Sequence, residues 1–306
     1  MEDLENKKYW IWLSMIANLG IKRKQKLLKI YKNPKRIFEA NKKELEKIEG
    51  IGENIANNII NSKIERIIEY QVKQMIKENV DIISINDTNY PQQLKNIYDP
   101  PISIYIKGNI KNLQKPSIAI IGCRQASEYG KMAAKYFGYQ LAKSGLNIVS
   151  GLARGVDSYS HVGNICAKKE ESYSHVDNLS TVGKPLAVIG CGLDIIYPKE
   201  NSELEKEILN VGGTIISEYP LGTKPNKFNF PARNRIISGL SKGVLVIEAK
   251  KKSGTLITVD FALEQGRDVF VMPGNINSIN SLGTNDLIKQ GAKIVTCYQD
   301  VLDFIN

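Results

Sequence analysis

Between Ser217 and Ser241 the chain places Lys224, Lys227, Phe228, Phe230, Arg233 and Arg235 in one short stretch. Cations alternate with aromatic rings there. Single-stranded nucleic acid calls for that mixture, because charge follows the backbone while ring faces stack on bases. The competing use is structural: a phenylalanine that anchors the loop in the core, an arginine that pairs with Glu218 or Glu248. That use is expected for at least one residue of each type. A second candidate is Ser117-Ile-Ala-Ile-Ile-Gly-Cys-Arg-Gln-Ala-Ser-Glu-Tyr-Gly130, an apolar run ending at Gly122 and a helical pattern opening near Ser127. A turn of this kind gathers backbone N–H groups at a helix N-terminus, where the macrodipole favours anions. Arg124 adds a planar cation suited to phosphate. It also stands where a dinucleotide-binding loop would need its second glycine, so dinucleotide binding is the weaker reading.

Nucleophilic chemistry has less to work with. Cys123 and Cys191 both sit in strand-end glycine turns, but His161 and His175 are the two imidazoles in the chain and neither has a defined spacing to a thiol. Catalysis is not expected. The four cysteines are scattered without a C-x-x-C pair, which reads as reduced thiols rather than a zinc site or disulfide framework. No metal and no cofactor are expected.

The elements that must position these residues are legible as apolar strands alternating with helices from Pro116 onward, the pattern of a mostly parallel sheet covered on both faces. Strands are expected at 118–121, 147–150, 186–189, 214–217, 243–248, 268–272 and 293–295. Two more, 80–85 and 102–106, precede them. Several end in glycine or polar clusters: Gly122-Cys-Arg124, Gly151 to Gly155, Gly190-Cys-Gly192, Ser217 to Pro220, Pro273-Gly274. In a doubly wound sheet the carboxyl ends of parallel strands open on one crevice. These glycines and arginines are therefore expected to line it.

Residues 1–64 read as a separate helical module, and 65–306 as the large domain. Within the module, Leu45 to Ala56 carries Gly50-Ile51-Gly52, matching the turn of a helix-hairpin-helix whose glycines free backbone amides for phosphate. A helical protein-interaction module that kept the turn is the alternative. Residues 1–80 hold 17 Lys+Arg against 11 Asp+Glu, so they supply +6 of the net +10. The basic balance suits nucleic acid, and equally a lysine-rich surface. No apolar run reaches the roughly 18 residues of a membrane span, and no signal peptide is evident, so a cytoplasmic protein without membrane contact is expected.

Ser158-Tyr-Ser-His-Val162 recurs as Ser172-Tyr-Ser-His-Val176, 14 positions on. The repeat reads as a short duplication that lengthens or loops out a helix without moving the sheet, since 14 residues nearly preserve helical phase. Deleting residues 158–171 is then expected to leave folding and DNA binding largely intact.

Six ordered motifs carry a resemblance over the whole chain. They are Gly122-Cys-Arg124 with Ser127 and Tyr129-Gly130; Ser150 to Asp157; Gly190 to Pro198 with Asn201; Phe230-Pro-Ala-Arg-Asn-Arg-Ile-Ile-Ser-Gly-Leu240; Glu248-Ala249 with Ser253 to Thr258; and Gly266-Arg267 with Met272-Pro-Gly274. Together they resemble the DNA-processing protein A (DprA/Smf) family. The resemblance implies an extended Rossmann-like domain behind a small N-terminal helical module of helix-hairpin-helix or SAM-like type. It implies single-stranded DNA binding without hydrolysis, a homodimer, and loading of the recombinase RecA onto incoming strands in natural transformation. Phosphate binding falls on Arg124 in the Gly122 turn, and further contact on Lys199, Lys227 and Phe230, with Arg233, Asn234, Arg235 and the Ser253-Gly254-Thr255 helix start as weaker assignments. Gly50 and Gly52 are a secondary contact. The family often has serine at the place of Cys123, and many members carry a C-terminal winged helix that is not expected here. The rival reading is an enzyme or sensor that takes a nucleotide-derived small molecule in the same crevice.

Overall fold

The computed structural model describes residues 2–173 and 182–305. Six helices come first: α1 (Glu2–Met15), α2 (Ile21–Tyr31), α3 (Pro34–Glu39), α4 (Lys42–Glu46), α5 (Glu53–Asn61) and α6 (Glu65–Lys77). Then follow β1 (Val80–Ser84), α7 (Gln92–Lys95), β2 (Ser103–Gly108), β3 (Ser117–Ile121), α8 (Glu128–Lys143), β4 (Asn147–Ser150), α9 (Val156–Tyr173) and β5 (Pro185–Ile189). The last part holds α10 (Ser202–Asn210), β6 (Thr214–Ser217), α11 (Asn229–Gly239), β7 (Gly243–Val246), α12 (Gly254–Glu264), β8 (Asp268–Val271), α13 (Leu282–Lys289), β9 (Lys293–Ile294) and α14 (Gln299–Ile305).

The nine strands among the described residues join one sheet in the order β1-β2-β6-β5-β4-β3-β7-β8-β9. The run from β6 to β9 is parallel, and β2 and β1 add an antiparallel edge. The expected α/β class with a mostly parallel sheet is what the chain adopts.

Strand alternation divides the core in two. Ala119, Ile121, Val188, Ile216, Val244, Val246 and Val271 face a cluster completed by Leu94, Ile236, Val259 and Leu287 of α7, α11, α12 and α13. Ile118, Ile120, Ile148, Leu245 and Phe270 face the other way, onto Phe137 and Leu141 of α8 and Val301 of α14. These are the two faces of a pleated strand, each covered by helices because both must leave water. Strand order reverses at β3, whose neighbours are β4 and β7. From these adjacent strands α8 and α12 leave toward opposite faces, which opens a crevice at their carboxyl ends.

The N-terminal helices enclose a cluster of their own around Trp12, Leu27, Ile37, Leu45, Ile51 and Ile59. It is not sealed from the sheet. Ile102 belongs to the same cluster, Ile11 packs with Tyr105 and Ile215, and Ser14 Oγ lies 2.6 Å from the Tyr105 hydroxyl.

The first copy of the repeat is an integral part of α9. Ser160, His161, Gly163, Asn164 and Ala167 are all buried, and α9 lies almost backbone to backbone on α8. A Cβ on Gly163 would stand 2.1 Å from the Lys135 carbonyl oxygen. Residues 158–171 can therefore be dispensable, as expected, only if the second copy supplies the same packed positions. Residues 174–181 of the second copy, His175 among them, lie outside the described residues.

Burial of His161 has a measurable consequence. Both ring nitrogens lack a hydrogen-bond partner among the described residues, and burial lowers the imidazole pKa from 6.5 to about 3. The unfolded chain therefore takes up a proton below pH 6.5 that the folded chain refuses until about pH 3. This contribution to stability is complete above pH 6.5 and lost as pH falls, by up to about 1.4 kcal/mol per unit. Between pH 6.5 and 5 the loss should reach about 2 kcal/mol. A His161→Leu variant should show a correspondingly flatter dependence of the urea midpoint on pH.

Candidate nucleic-acid interface

Three strand-end loops build the site. The β3 loop presents Arg124, which is exposed. Its backbone is held by the β4 loop, where Gly155 has a φ of +76° and a Cβ would stand 2.2 Å from the Cys123 carbonyl oxygen. That close, left-handed passage requires glycine. Val156 N–H then donates to the same Cys123 oxygen at 3.2 Å. Gly122 is half-buried against Val156, so its place is in packing beneath Arg124.

The β5 loop carries Tyr197 and Lys199. Asn201, just beyond, donates to the Leu152 carbonyl at 2.9 Å and to Ser158 Oγ at 2.9 Å, which fastens this loop to the β4 end. The β6 loop is bound to it in turn: Gly192 N–H donates to the Thr223 oxygen, and Gly222 N–H to the Asp194 carboxylate. Asn229 Nδ2 donates to the Gly190 oxygen at 3.2 Å, setting the first turn of α11 over β5.

These ties bring the principal residues together. Phe230 lies on Gly190, stacked on Tyr197 with ring centroids 5.3 Å apart and planes 27° from parallel. The Arg124 guanidinium sits 5.6 Å from the Phe230 centroid, within cation–π reach. Lys227 stands 5.1 Å from the centre of the strongly exposed Phe228 ring. Lys199 is exposed on the turn after Tyr197-Pro198. Among the described residues, Arg124, Lys199 and Lys227 have no carboxylate within ion-pair distance. Arg124 against the stacked pair, with Lys199 two residues beyond Tyr197 and Lys227 three before Phe230, combines the cations and rings that phosphates and bases call for.

Tyr197 was not singled out from the sequence. The signal available was its position two residues before Lys199, in a loop that also had to meet Phe230.

Arg233 and Arg235 are elsewhere, each 4% exposed. Arg233 donates to the Gly151 oxygen at 2.8 Å and to the Val188 oxygen, tying the ends of β4 and β5 from beneath. Burial lowers its pKa to about 10, and the Asp157 charge opposes that shift. Asp157 is itself raised by burial, against the field of Arg233 and amide bonds from Ala153 and Gly151. Arg235 pairs with Glu218 at 2.7 Å and Asp99 at 3.0 Å. Burial works against its charge, but the two carboxylates outweigh it and its pKa is raised. Both arginines thus take a structural use, foreseen for at least one: Arg235 pairs with Glu218 as expected, whereas Arg233 binds carbonyls. The phenylalanines do not follow: Phe228 is out in solvent and Phe230 only half-buried.

Removing Arg233 would leave Asp157 buried without its countercharge and two carbonyls without a donor. Arg233→Leu is expected to lower stability by about 3–5 kcal/mol, measured as a shift of the urea midpoint at constant slope.

Asn234 Nδ2 approaches the Gly254 oxygen at 3.5 Å, linking α11 to the start of α12. There Gly254 is exposed, Thr255 half-buried, and Ser253 Oγ is buried without a partner among the described residues. Gly50 and Gly52 are exposed on the helical module and share no contact with the Arg124 cluster among the described residues. Gly52 caps α5 without a side-chain bond, and the Gly50 oxygen accepts from Arg23.

Cys123 and Cys191 are poor nucleophiles. Burial raises the Cys191 pKa to about 11 and also raises that of Cys123. The strand-end acids already accept from neighbours: Asp157 from the β4 loop amides, Asp194 from Gly222, Glu248 from Ser127. Among the described residues no three Cys, His, Asp or Glu converge as metal ligands, and no helix is long and apolar enough to cross a membrane.

The family model described as DNA recombination-mediator protein A matches residues 81–306. The DNA processing protein DprA of Streptococcus pneumoniae is 45% identical over 219 residues, 72% of this chain and 72% of that protein. The DprA of Bacillus subtilis is 40% identical over 228 residues, 74% of this chain and 72% of that one. The crystal structure of the S. pneumoniae protein superposes with a TM-score of 0.82 at 36% identity, covering 98% of both chains. DNA processing protein A from Helicobacter pylori, whose structure describes a single-stranded DNA binding mode, superposes with a TM-score of 0.62 at 30% identity. It covers 73% of this chain and 94% of that one.

Proposed function

The chain belongs to the DNA recombination-mediator protein A family, and from that premise we propose that it binds single-stranded DNA in the cleft of Arg124, Lys199, Lys227, Phe230 and Tyr197. The observation that carries this is the Tyr197–Phe230 ring stack set among cations that no carboxylate neutralises. Phosphates pass along Arg124, Lys199 and Lys227 while a base stacks on Phe230. Gly122 shapes the turn, Asn234 and the Ser253-Gly254-Thr255 helix start extend the cleft, and Gly50 and Gly52 give a secondary contact. Arg233 and Arg235 hold the loops from behind.

The role is non-enzymatic. The protein, as a homodimer in the cytoplasm, shields incoming strands and loads RecA onto them during transformation and homologous recombination. Family membership supports the RecA and dimer parts. They are tested by RecA filament assembly on strands coated with single-strand binding protein, and by light scattering. The binding itself is tested by fluorescence anisotropy. Single strands should bind at least tenfold more tightly than duplex of the same length, because paired bases cannot splay onto Phe230. Excess mononucleotide should displace little of the bound strand. Equal affinity for duplex, or full displacement by mononucleotide, would favour the small-molecule reading of this cleft.

A further inference from the structure

The β3 loop has a second side. Away from the DNA cleft, between the carboxyl ends of β3, β7 and β8, lies a cavity of about 470 Å³ lined by Ser127, Tyr129, Glu248, Gly274, Asn275 and Ser278, among others. It occupies the point where strand order reverses, the position at which open α/β sheets hold ligands. Its size falls in the range of small-molecule sites. The β3–α8 turn is the wall between the two clefts. Arg124 lies against Phe230 on one side, while the Gln125 carbonyl accepts from Asn280 Nδ2 at 2.9 Å on the other.

The two clefts differ in charge. Among the described residues, no lysine or arginine lines the cavity. Its acid is Glu248, 3% exposed, without a Lys or Arg at ion-pair distance among the described residues. Neutral donors hold its carboxylate: Ser127 N–H to Oε2 at 3.0 Å, Ser127 Oγ to Oε1 at 2.5 Å, Asn280 Nδ2 to Oε2 at 3.3 Å. A carboxylate accepts about four hydrogen bonds, so Oε1 has capacity for one more donor. Phosphate would meet the Glu248 carboxylate there with no Lys or Arg in the lining to offset the repulsion, whereas a hydroxyl would donate to it. Tyr129, 59% exposed, belongs to the lining, and an exposed ring face takes any base.

We propose that this cavity is a second ligand site, distinct from the DNA cleft, which binds an uncharged ribonucleoside by its sugar hydroxyls through Glu248 and by its base through Tyr129. A 2′-hydroxyl is what DNA lacks, so the strand in the neighbouring cleft is not a competitor for this pocket.

The test is equilibrium dialysis of the full chain with adenosine, guanosine, cytidine and uridine, each against its 2′-deoxy counterpart and its 5′-monophosphate. DNA binding is followed by anisotropy in the same preparations. At least one ribonucleoside should bind saturably, at least tenfold more tightly than its deoxy form and no more weakly than its monophosphate. Tyr129→Ala, an exposed position, should weaken that binding about tenfold with single-stranded DNA affinity unchanged. Arg124→Ala should do the reverse. Glu248→Gln should lose the preference over the deoxy form. No saturable binding of any ribonucleoside up to about 10 mM, equal binding of the deoxy forms, tighter binding of the monophosphates, or loss in Arg124→Ala would each overturn the proposal. The first three outcomes leave the DNA cleft untouched, so failure here is separable from failure there.

Discussion

Replacing Arg124 with alanine should weaken single-stranded DNA binding and flatten its dependence on salt by about 0.7 in the logarithmic slope, the share of one phosphate contact on a single strand. Replacing Phe230 with alanine should cost about 1–3 kcal/mol with the slope retained, because a stacking face carries no charge and releases no counterion. The two variants thus lose affinity by different physical routes. Tyr197→Ala should behave like a weaker Phe230→Ala, since Tyr197 holds the Phe230 ring from one side. Neither primary substitution threatens the fold: Arg124 is exposed and Phe230 half-buried. The Arg124→Ala/Phe230→Ala pair should lose both components, and anisotropy titrations at several salt concentrations separate them. Wild-type affinity and slope in that folded double variant would remove the cleft from consideration.

Deleting residues 158–171 should abolish cooperative unfolding. The deletion joins Asp157 to Ser172, and the second copy then supplies the helix register after β4. His175 and Asn178 replace His161 and Asn164 in kind, but Asp177 falls where Gly163 was. That position has no room for a side chain, since even a Cβ would be 2.1 Å from the Lys135 oxygen and 2.8 Å from the Tyr139 nitrogen. A carboxylate forced there must push α8 and α9 apart or be buried without a partner. Either cost is several kcal/mol, against a total stability of about 5–15 kcal/mol. Two controls isolate the cause. Gly163→Asp in the full-length chain should reproduce the defect, and Asp177→Gly within the deletion should restore a cooperative urea transition. A cooperative transition in the uncorrected deletion would show that the α8–α9 contact can open at little cost.

The sequence by itself determined what depends on short-range pattern. Apolar runs of four or five residues closed by glycine clusters located β3 to β8 to within one or two residues, because a strand buried on both faces must be continuously apolar and must end where the backbone turns. Ser127 announced the start of α8 for a local reason as well: its Oγ accepts the Gly130 N–H at 3.0 Å, a bond made within one turn. The cation and ring composition of the 217–241 segment likewise marked Lys227 and Phe230 as candidates, and the Gly122 turn marked Arg124, without knowledge of where they meet.

What the tertiary structure decided was which of several chemically equivalent residues face solvent. Arg233 and Arg235 are indistinguishable from Arg124 in type and lie beside Phe230 in sequence. Yet α11 turns both toward the sheet, onto carbonyls and carboxylates contributed by residues as distant as Asp99 and Gly151. Tyr197 became a stacking partner because Asp194 and Asn201 fold its loop against two others. The same holds for the repeat, whose copies share their first five residues and then diverge at Gly163, where α8 comes too close for anything but glycine. Helix phase is periodic in sequence, and the distance to a neighbouring backbone is not. Long-range pairings of this kind are fixed by which strands lie adjacent, and strand order is a property of the whole sheet.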